Sequence, residues 1–293
     1  MNVLPVLSNT LHRVALMRLN AIAAISPNPV PGVRTVRAMG MELSSPVGMA
    51  AGLDRYGAIA HRAHHLGLGF VETGTVTPLP EPGANRGIDA LLVNLERNGW
   101  GRCGVRAPRV RLGISIARNS HTPAARAATD YATCMVAAWR YADYFTLNLG
   151  TVQTELAARP GALGALLEDT GKRHALLAQR FGRNVALVVK LRLTPHGLEQ
   201  ALELLPLLEQ LHYAGILAAD EGGSAAPMKL RALASGVIAD GTDLISVGGI
   251  RDLRTACARL EAGAALLQMH RALLMSGPRL VRAINAAQPA GPG

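Results

Sequence analysis

The chain has 293 residues, 49% of them hydrophobic and 17% charged, a length that suits one barrel of roughly 250 residues and a composition that excludes a disordered or repetitive protein. Its 30 Lys and Arg against 20 Asp and Glu give a net charge of +10, which fits a nucleic acid, an anionic membrane surface or an anionic ligand. The arginines are scattered without a basic block and aromatic residues are only 3%, which argues against nucleic acid.

Three cysteines, Cys103, Cys134 and Cys257, are odd in number and never spaced C-x-x-C. Neither a disulfide framework nor a zinc site is expected from them, no metal is expected, and a reducing, cytoplasmic compartment fits best.

The first stretch, Met1 to Ile25, is interrupted by His12, Arg13 and Arg18, so no run approaches the ~20 apolar residues of a membrane span. It also lacks the charged beginning of a signal peptide. Leu4, Val6, Leu7, Leu11, Val14, Ala15 and Leu19 recur at helical spacing and predict an amphipathic helix, which either caps a barrel end or touches the cytoplasmic face of a membrane as a peripheral contact. Pro27, Pro29 and Pro31 make an extended linker after it, dividing the chain into an N-terminal helical extension over 1–32 and a second unit over 33–293.

From there short runs rich in Val, Ile and Leu alternate with helix-length stretches. Strands are predicted at Val47–Ala51, Phe70–Thr73, Leu112–Ala117, Tyr144–Asn148, Ala186–Leu191, Gly215–Ala219, Leu244–Val247 and Ala265–Met269. Parallel strands need helical crossovers, and eight strand–helix pairs predict an α/β fold closed as a (β/α)8 TIM barrel, with an open doubly wound sheet as the alternative. The Ala, Pro and Gly of 286–293 predict a frayed tail.

In such a barrel the chemistry lies where strands end. The seventh strand runs into Val247-Gly248-Gly249-Ile250 and the eighth into Gln268-Met269-His270-Arg271, loops that commonly hold a phosphate because glycines let backbone N–H groups approach an oxyanion; a tight turn is the plainer reading of the glycine pair. Lys190 closes the apolar run Ala186-Leu187-Val188-Val189-Lys190-Leu191. A lysine costs several kcal/mol to bury uncompensated, so it either meets an anion or reaches solvent at the strand end.

Two runs carry a resemblance: Pro46-Val47-Gly48-Met49-Ala50-Ala51-Gly52-Leu53-Asp54-Arg55, and the longer Gly67-Leu68-Gly69-Phe70-Val71-Glu72-Thr73-Gly74-Thr75-Val76-Thr77-Pro78-Leu79-Pro80-Glu81-Pro82-Gly83. With Ile116-Ala117-Arg118-Asn119, Asp130-Tyr131, Val189-Lys190, Val247-Gly248-Gly249-Ile250 and Glu261-Ala262-Gly263-Ala264, the chain resembles the dihydroorotate dehydrogenases, most like their membrane-associated, quinone-using class. The resemblance implies FMN at the C-terminal rim of the barrel, a dihydropyrimidine against it, and a quinone that reaches the flavin under the N-terminal helices. Carried over position by position, it implies flavin contacts at Ala50, Ala51, Gly52, Thr75, Lys190, Gly248 and Gly249, and Asn148 as an asparagine reaching both flavin and substrate.

The departures from the family pattern are part of the same reading. The lysine of its A-G-x-D-K run is Arg55 here, which keeps the charge and alters its reach. Its N-R-M-G-F run is matched to Glu96-Arg97-Asn98-Gly99-Trp100, placing Glu96 and Trp100 at the substrate. The loop that supplies its catalytic serine reads Asn148-Leu149-Gly150-Thr151-Val152-Gln153; Thr151 is then either the hydroxyl base or a simple turn residue, and Gln153 a partial substitute for a substrate asparagine. Its T-N-T run becomes Ala219-Asp220-Glu221, its flavin-ring asparagine Ser115, and its Y-[ST]-G run His270-Arg271-Ala272, in which Arg271 offers a guanidinium to the phosphate.

These residues predict an FMN-dependent oxidoreductase that passes hydride to the flavin, with Lys190 stabilising its reduced anion. Glu96, Asp220 and Glu221 would make the pocket acidic and favour an amine-bearing or carboxylate-free substrate over dihydroorotate. The alternative is a barrel that has lost turnover and serves as a partner-binding or regulatory protein.

Overall fold

The structure is a computed structural model that describes residues 3–25, 35–83, 85–100, 110–220, 225–237 and 241–287, and in the first helix the side chains from Val14 onward. That helix, α1, spans Val3–Ile25. The proline linker, the 32/33 boundary, Cys103 and the tail from 288 lie outside the described residues.

The strands among the described residues are β1 (Val36–Ala38), β2 (Met41–Leu43), β3 (Val47–Met49), β4 (Phe70–Val76), β5 (Arg111–Ile116), β6 (Tyr144–Asn148), β7 (Ala186–Arg192), β8 (Gly215–Ala219), β9 (Asp243–Val247) and β10 (Leu266–Met269). β3 to β10 close into one parallel barrel, with β10 pairing both β9 and β3. All eight coincide with the predicted strands to within a few residues, and closure removes the open-sheet alternative. The helices between them are α2 (Gly87–Arg97), α3 (Ala127–Ala138), α4 (Val152–Ala157), α5 (Ala162–Phe181), α6 (Pro195–Gln210), α7 (Ala226–Gly236), α8 (Leu253–Glu261), α9 (Arg271–Ser276) and α10 (Pro278–Ala286).

Local sequence sets where two of these helices start. The Thr194 hydroxyl accepts the Gly197 N–H and Pro195 occupies the first turn of α6, while Asp252 and Thr255 form a reciprocal capping box at α8. Such caps satisfy N–H groups that a helix start otherwise leaves open. They fix the points at which the chain leaves the rim after β7 and β9.

At the opposite end, where strands begin, β1 and β2 form an antiparallel hairpin that the sequence reading did not foresee. Its two-residue turn, Met39-Gly40, has φ of 54° and 68°, the left-handed pair of a type I′ turn. The Met39 N–H donates to the Asp243 carboxylate at the start of β9. Ala38, Met39 and Leu43 pack on Phe70, Tyr144, Val188, Leu217, Ile245 and Leu266 inside the barrel, so the hairpin forms a floor.

Two glycines make room for the aromatic rings of that layer. A Cβ at Gly48 would lie 2.3 Å from the Phe70 ring, and one at Gly113 would lie 2.0 Å from the Tyr144 ring. The larger apolar core fills the space between the barrel and its helices. α1 joins it through Leu19 and Ala23, and Asn20 accepts a hydrogen bond from Arg62 in the 3-10 helix Ala60–Leu66. Val14, Met17 and Ile25 on α1 remain exposed.

Candidate functional site

At the rim the strand ends converge on a cavity of about 320 Å³, lined by Asn148, Gly150, Lys190, Arg192, Ala219, Asp220, Val247 and Gly248. That volume lies within the range of small-molecule pockets, roughly 300–1,000 Å³. β7 contributes its two cations. Because side chains alternate along a strand, Lys190 and Arg192 share a face, one layer apart, and both line the cavity.

The acid in the wall is already matched. Lys229 on α7 donates to the Asp220 carboxylate at 2.9 Å and to the Leu193 carbonyl at 2.6 Å. Neither Lys190 nor Arg192 has a side-chain hydrogen bond or ion pair among the described residues. The cavity therefore presents two cations without a direct ion pair among the described residues, Lys190 also acting through its charge on the buried Glu72 below, and an anion is the complementary guest.

Beside it runs a polar ledge across three strands. The Asn148 amide donates to the Thr75 hydroxyl at 2.8 Å, Thr75 and Ser115 share a hydrogen bond of 3.0 Å, and Asn85 donates to the Thr75 carbonyl. Thr75 and Asn148 were predicted contacts and Ser115 was matched to the same role, and the three stand together. Asn85 was not foreseen. The Gly74–Thr75 peptide is cis.

Ala50, Ala51 and Gly52 follow β3, tied to the neighbouring strands by Ala50 N–H to the Met269 carbonyl and Gly52 N–H to the Gly74 carbonyl at 2.7 Å. Gly52 has φ of +88°, and nothing lies within 4 Å of where its Cβ would be. Only a glycine adopts that backbone without strain, and its α-carbon faces open space, as a site for close backbone approach requires. Arg55 sits at the same rim, exposed, with its carbonyl accepting the Gly74 N–H.

Gly248 and Gly249 have φ of +97° and +67° after β9. Behind them the buried Arg259 of α8 donates to the Ser246 hydroxyl and to the Gly248 carbonyl. Burial lowers the pKa of its guanidinium and the charge of Asp220 opposes that shift. Arg259 was missed because a helical arginine reads as a solvated face. His270 and Arg271, both exposed, begin α9 beside this loop.

Below the ledge, inside the barrel, Glu72 is fully buried. Its Oε2 accepts from Gln268 at 2.7 Å, Thr146 at 2.9 Å and Tyr144 at 3.3 Å, while Oε1 has no partner among the described residues. Burial raises its pKa above the ordinary carboxylate value, against those hydrogen bonds and the charge of Lys190.

Three substrate-side expectations change. Glu96 lies in the last turn of α2 and is exposed, paired with Arg140 and with the Tyr141 hydroxyl at 2.6 Å; these two residues stand just before β6, at the strands' N-terminal end. Trp100 is buried in the core around the barrel. Neither lines the cavity, because Gly87–Arg97 is an amphipathic helix returning along the outer wall rather than a rim loop. Gln153 is buried and turned away: its Oε1 accepts the Arg192 N–H and its amide donates to Gln200. Glu221 lies outside the described residues. Of the three expected acids, Asp220 lines the cavity paired with Lys229, and Glu96 stands on the outer wall.

Thr151 stands next to Gly150, at the start of α4, and its hydroxyl donates to Glu155 at 2.6 Å. Glu155 and Arg192 both escaped the sequence reading. The alternation of β7 signals Arg192 once Lys190 is taken as inward; the four-residue spacing on a helix signals the Thr151–Glu155 pair.

Comparison with known proteins gives these residues a lineage. No family model matches the chain. A dihydroorotate dehydrogenase (quinone) from Neisseria meningitidis serogroup C / serotype 2a is 33% identical over an alignment of 320 residues, which covers 92% of this chain and 92% of that protein. The chain belongs to the quinone-dependent dihydroorotate dehydrogenase family. The protein of that name from Bordetella parapertussis is 33% identical and covers 83% of this chain and 81% of its own. Among solved structures, a crystal structure of DHODH in complex with ferulenol from Eimeria tenella superposes with a TM-score of 0.76 at 19% identity, covering 93% of this chain and 89% of that one, which supports the fold. The Neisseria alignment is longer than this 293-residue chain, so the relative carries residues with no counterpart here. Family membership makes the chain a dihydroorotate dehydrogenase-like oxidoreductase.

Proposed function

We propose that the protein is an FMN-dependent oxidoreductase that oxidises dihydroorotate or a close carboxylate-bearing dihydropyrimidine and returns its electrons to a quinone. The observation that carries this reading is the pair of cations on β7, Lys190 and Arg192, lining a cavity whose described acid is already bound to Lys229. The acid-rich pocket that favoured an amine-bearing substrate has lost Glu96 to the outer wall and Asp220 to its lysine.

The residues present fit a flavin mononucleotide. Gly52 offers an open backbone face, the Thr75, Ser115 and Asn148 ledge offers donors and acceptors in one row, and the Gly248-Gly249 turn with Arg271 beside it suits a phosphate. Ala50, Ala51, Gly52, Thr75, Ser115, Asn148 and Lys190 would face the ring system, and Gly248, Gly249, His270 and Arg271 the phosphate. When bound, FMN supplies a two-electron hydride acceptor. Lys190 places positive charge where negative charge develops, a fixed electrostatic stabilisation. Arg192, one layer nearer the mouth, holds the substrate carboxylate with charge-assisted hydrogen bonds. Asp220 and Lys229 neutralise each other and keep the far wall from repelling that anion.

The exposed Val14, Met17 and Ile25 on α1, with Arg18 among them, support a peripheral membrane contact on the cytoplasmic face, where a quinone is held. No described helix is long and apolar enough to cross a membrane.

The visible spectrum of the purified protein is the first test, followed by anaerobic titration with dihydroorotate and with dihydrouracil, which lacks the carboxylate. The expected result is a yellow protein bleached by dihydroorotate and not by dihydrouracil. A colourless protein that refuses added FMN would favour the barrel that has lost turnover, and bleaching by an amine-bearing dihydropyrimidine alone would restore the altered substrate.

A further inference from the structure

Thr151 is built into a three-residue arrangement that a turn residue does not need. Its hydroxyl donates to Glu155 Oε1 at 2.6 Å. Arg118, from the segment after β5, donates Nη2 to the Thr151 hydroxyl at 3.3 Å and to the same Glu155 oxygen at 2.5 Å. The other guanidinium nitrogen of Arg118 is held by the carbonyls of Ser120 and Thr122. Arg118 is therefore fixed by backbone, with a side chain 12% exposed, and Glu155 is 43% exposed at the outer edge.

A threonine hydroxyl has one proton to donate and two lone pairs. Here the proton points at a carboxylate and one lone pair takes the Arg118 N–H, which leaves one lone pair free. Thr151 adjoins Gly150, a cavity-lining residue whose missing Cβ has nothing within 4 Å. An alcohol is a poor base unless it passes its own proton on as it takes another. The carboxylate 2.6 Å away is placed to receive it.

Resting on the function proposed above, we infer that Glu155, held by Arg118, is the proton acceptor through which Thr151 acts as a base. Glu155 acts through Thr151 and is a positioning residue. In the step, the ring C–H bond of the dihydropyrimidine breaks and its electron pair becomes part of the new ring C=C bond. The proton goes to the Thr151 oxygen while the threonine proton goes to Glu155. The neighbouring carbon loses hydride to the flavin, which is the oxidant, and Glu155 releases its proton to water on its exposed side.

The test compares wild type with Glu155→Gln, Thr151→Val and the double variant. Bleaching of the bound flavin by dihydroorotate is followed by rapid mixing, and binding of radiolabelled orotate by equilibrium dialysis. Each single change is expected to slow bleaching about 10²-fold, the scale of one proton-transfer group, and the double change to add nothing. Orotate binding is expected to stay within about twofold, and formate is expected to restore part of the rate to Glu155→Gly, as for a missing carboxylate. Arg118→Lys, which keeps the charge, covers the case in which Glu155→Gln misfolds; it is expected to slow bleaching less than Glu155→Gln and to leave orotate binding unchanged. Glu155→Gln as fast as wild type, or rate and binding that fall together, overturns the inference while the proposed function stands. Wild-type protein that dihydroorotate does not bleach overturns both.

Discussion

The two ends of this barrel are built on opposite principles. At the floor, the hairpin and six inward side chains from β4, β6, β7, β8, β9 and β10 close an apolar layer, and glycines at 48 and 113 are cut to fit two aromatic rings. At the rim, Gly52 faces empty space and β7 projects two cations with no direct ion pair among the described residues. The floor spends its residues on close packing; the rim leaves charge and backbone uncommitted. The contrast supports the proposal that the rim receives the guest, since uncommitted polar groups are those a ligand can satisfy.

Substitutions at each end sharpen that contrast. The largest effect is expected from Gly113→Ala, whose methyl would overlap the Tyr144 ring; overpacking costs about 1–3 kcal/mol or more, so urea unfolding should show a loss at the upper end of that range, whereas Gly52→Ala should cost about 1–2 kcal/mol from its backbone angle alone. Equal losses would erase the distinction between the ends. Arg192→Gln should weaken binding of orotate by roughly 10- to 100-fold, the worth of a charge-assisted hydrogen bond, with the fold intact. Dialysis showing unchanged affinity would remove Arg192 from the site.

Glu72→Gln probes the layer between the two ends. Burial raises the folded-state pKa of Glu72, so the folded protein holds that proton more tightly than the unfolded chain does. The contribution is present below the ordinary carboxylate range and is lost as pH rises above it. The glutamine variant does not titrate, and its stability relative to wild type should therefore improve between about pH 4 and about pH 7 in urea unfolding. A relative decline over that span would mean that the barrel stabilises the ionised form. The smallest effect belongs to Glu96→Gln on the outer wall, where KM for dihydroorotate should stay within about twofold, since an exposed ion pair contributes little. A large rise in KM would bring Glu96 back to the substrate.

Much of the architecture was legible because the barrel strands are continuous apolar runs ended by glycine or polar residues, the pattern that burial on both faces demands. Lys190 stood out for the same reason. The hairpin did not, because its strands are three residues each and its anchor, Asp243, lies some two hundred positions away. Glu96 and Trp100 were misplaced where a short motif match overrode the helical spacing of Ile88, Leu91 and Leu95, all of which are buried. Gln153 was placed by residue type, yet which way an amide points depends on the Arg192 N–H it meets after folding. Arg118 and Glu155 belong to different elements, and nothing local in either announces the other.

The sealed floor has a consequence for traffic. A molecule bound on the barrel axis blocks the mouth by which the next would arrive, so two reactants that both enter there must take turns. Alternation of that kind gives parallel lines in double-reciprocal plots.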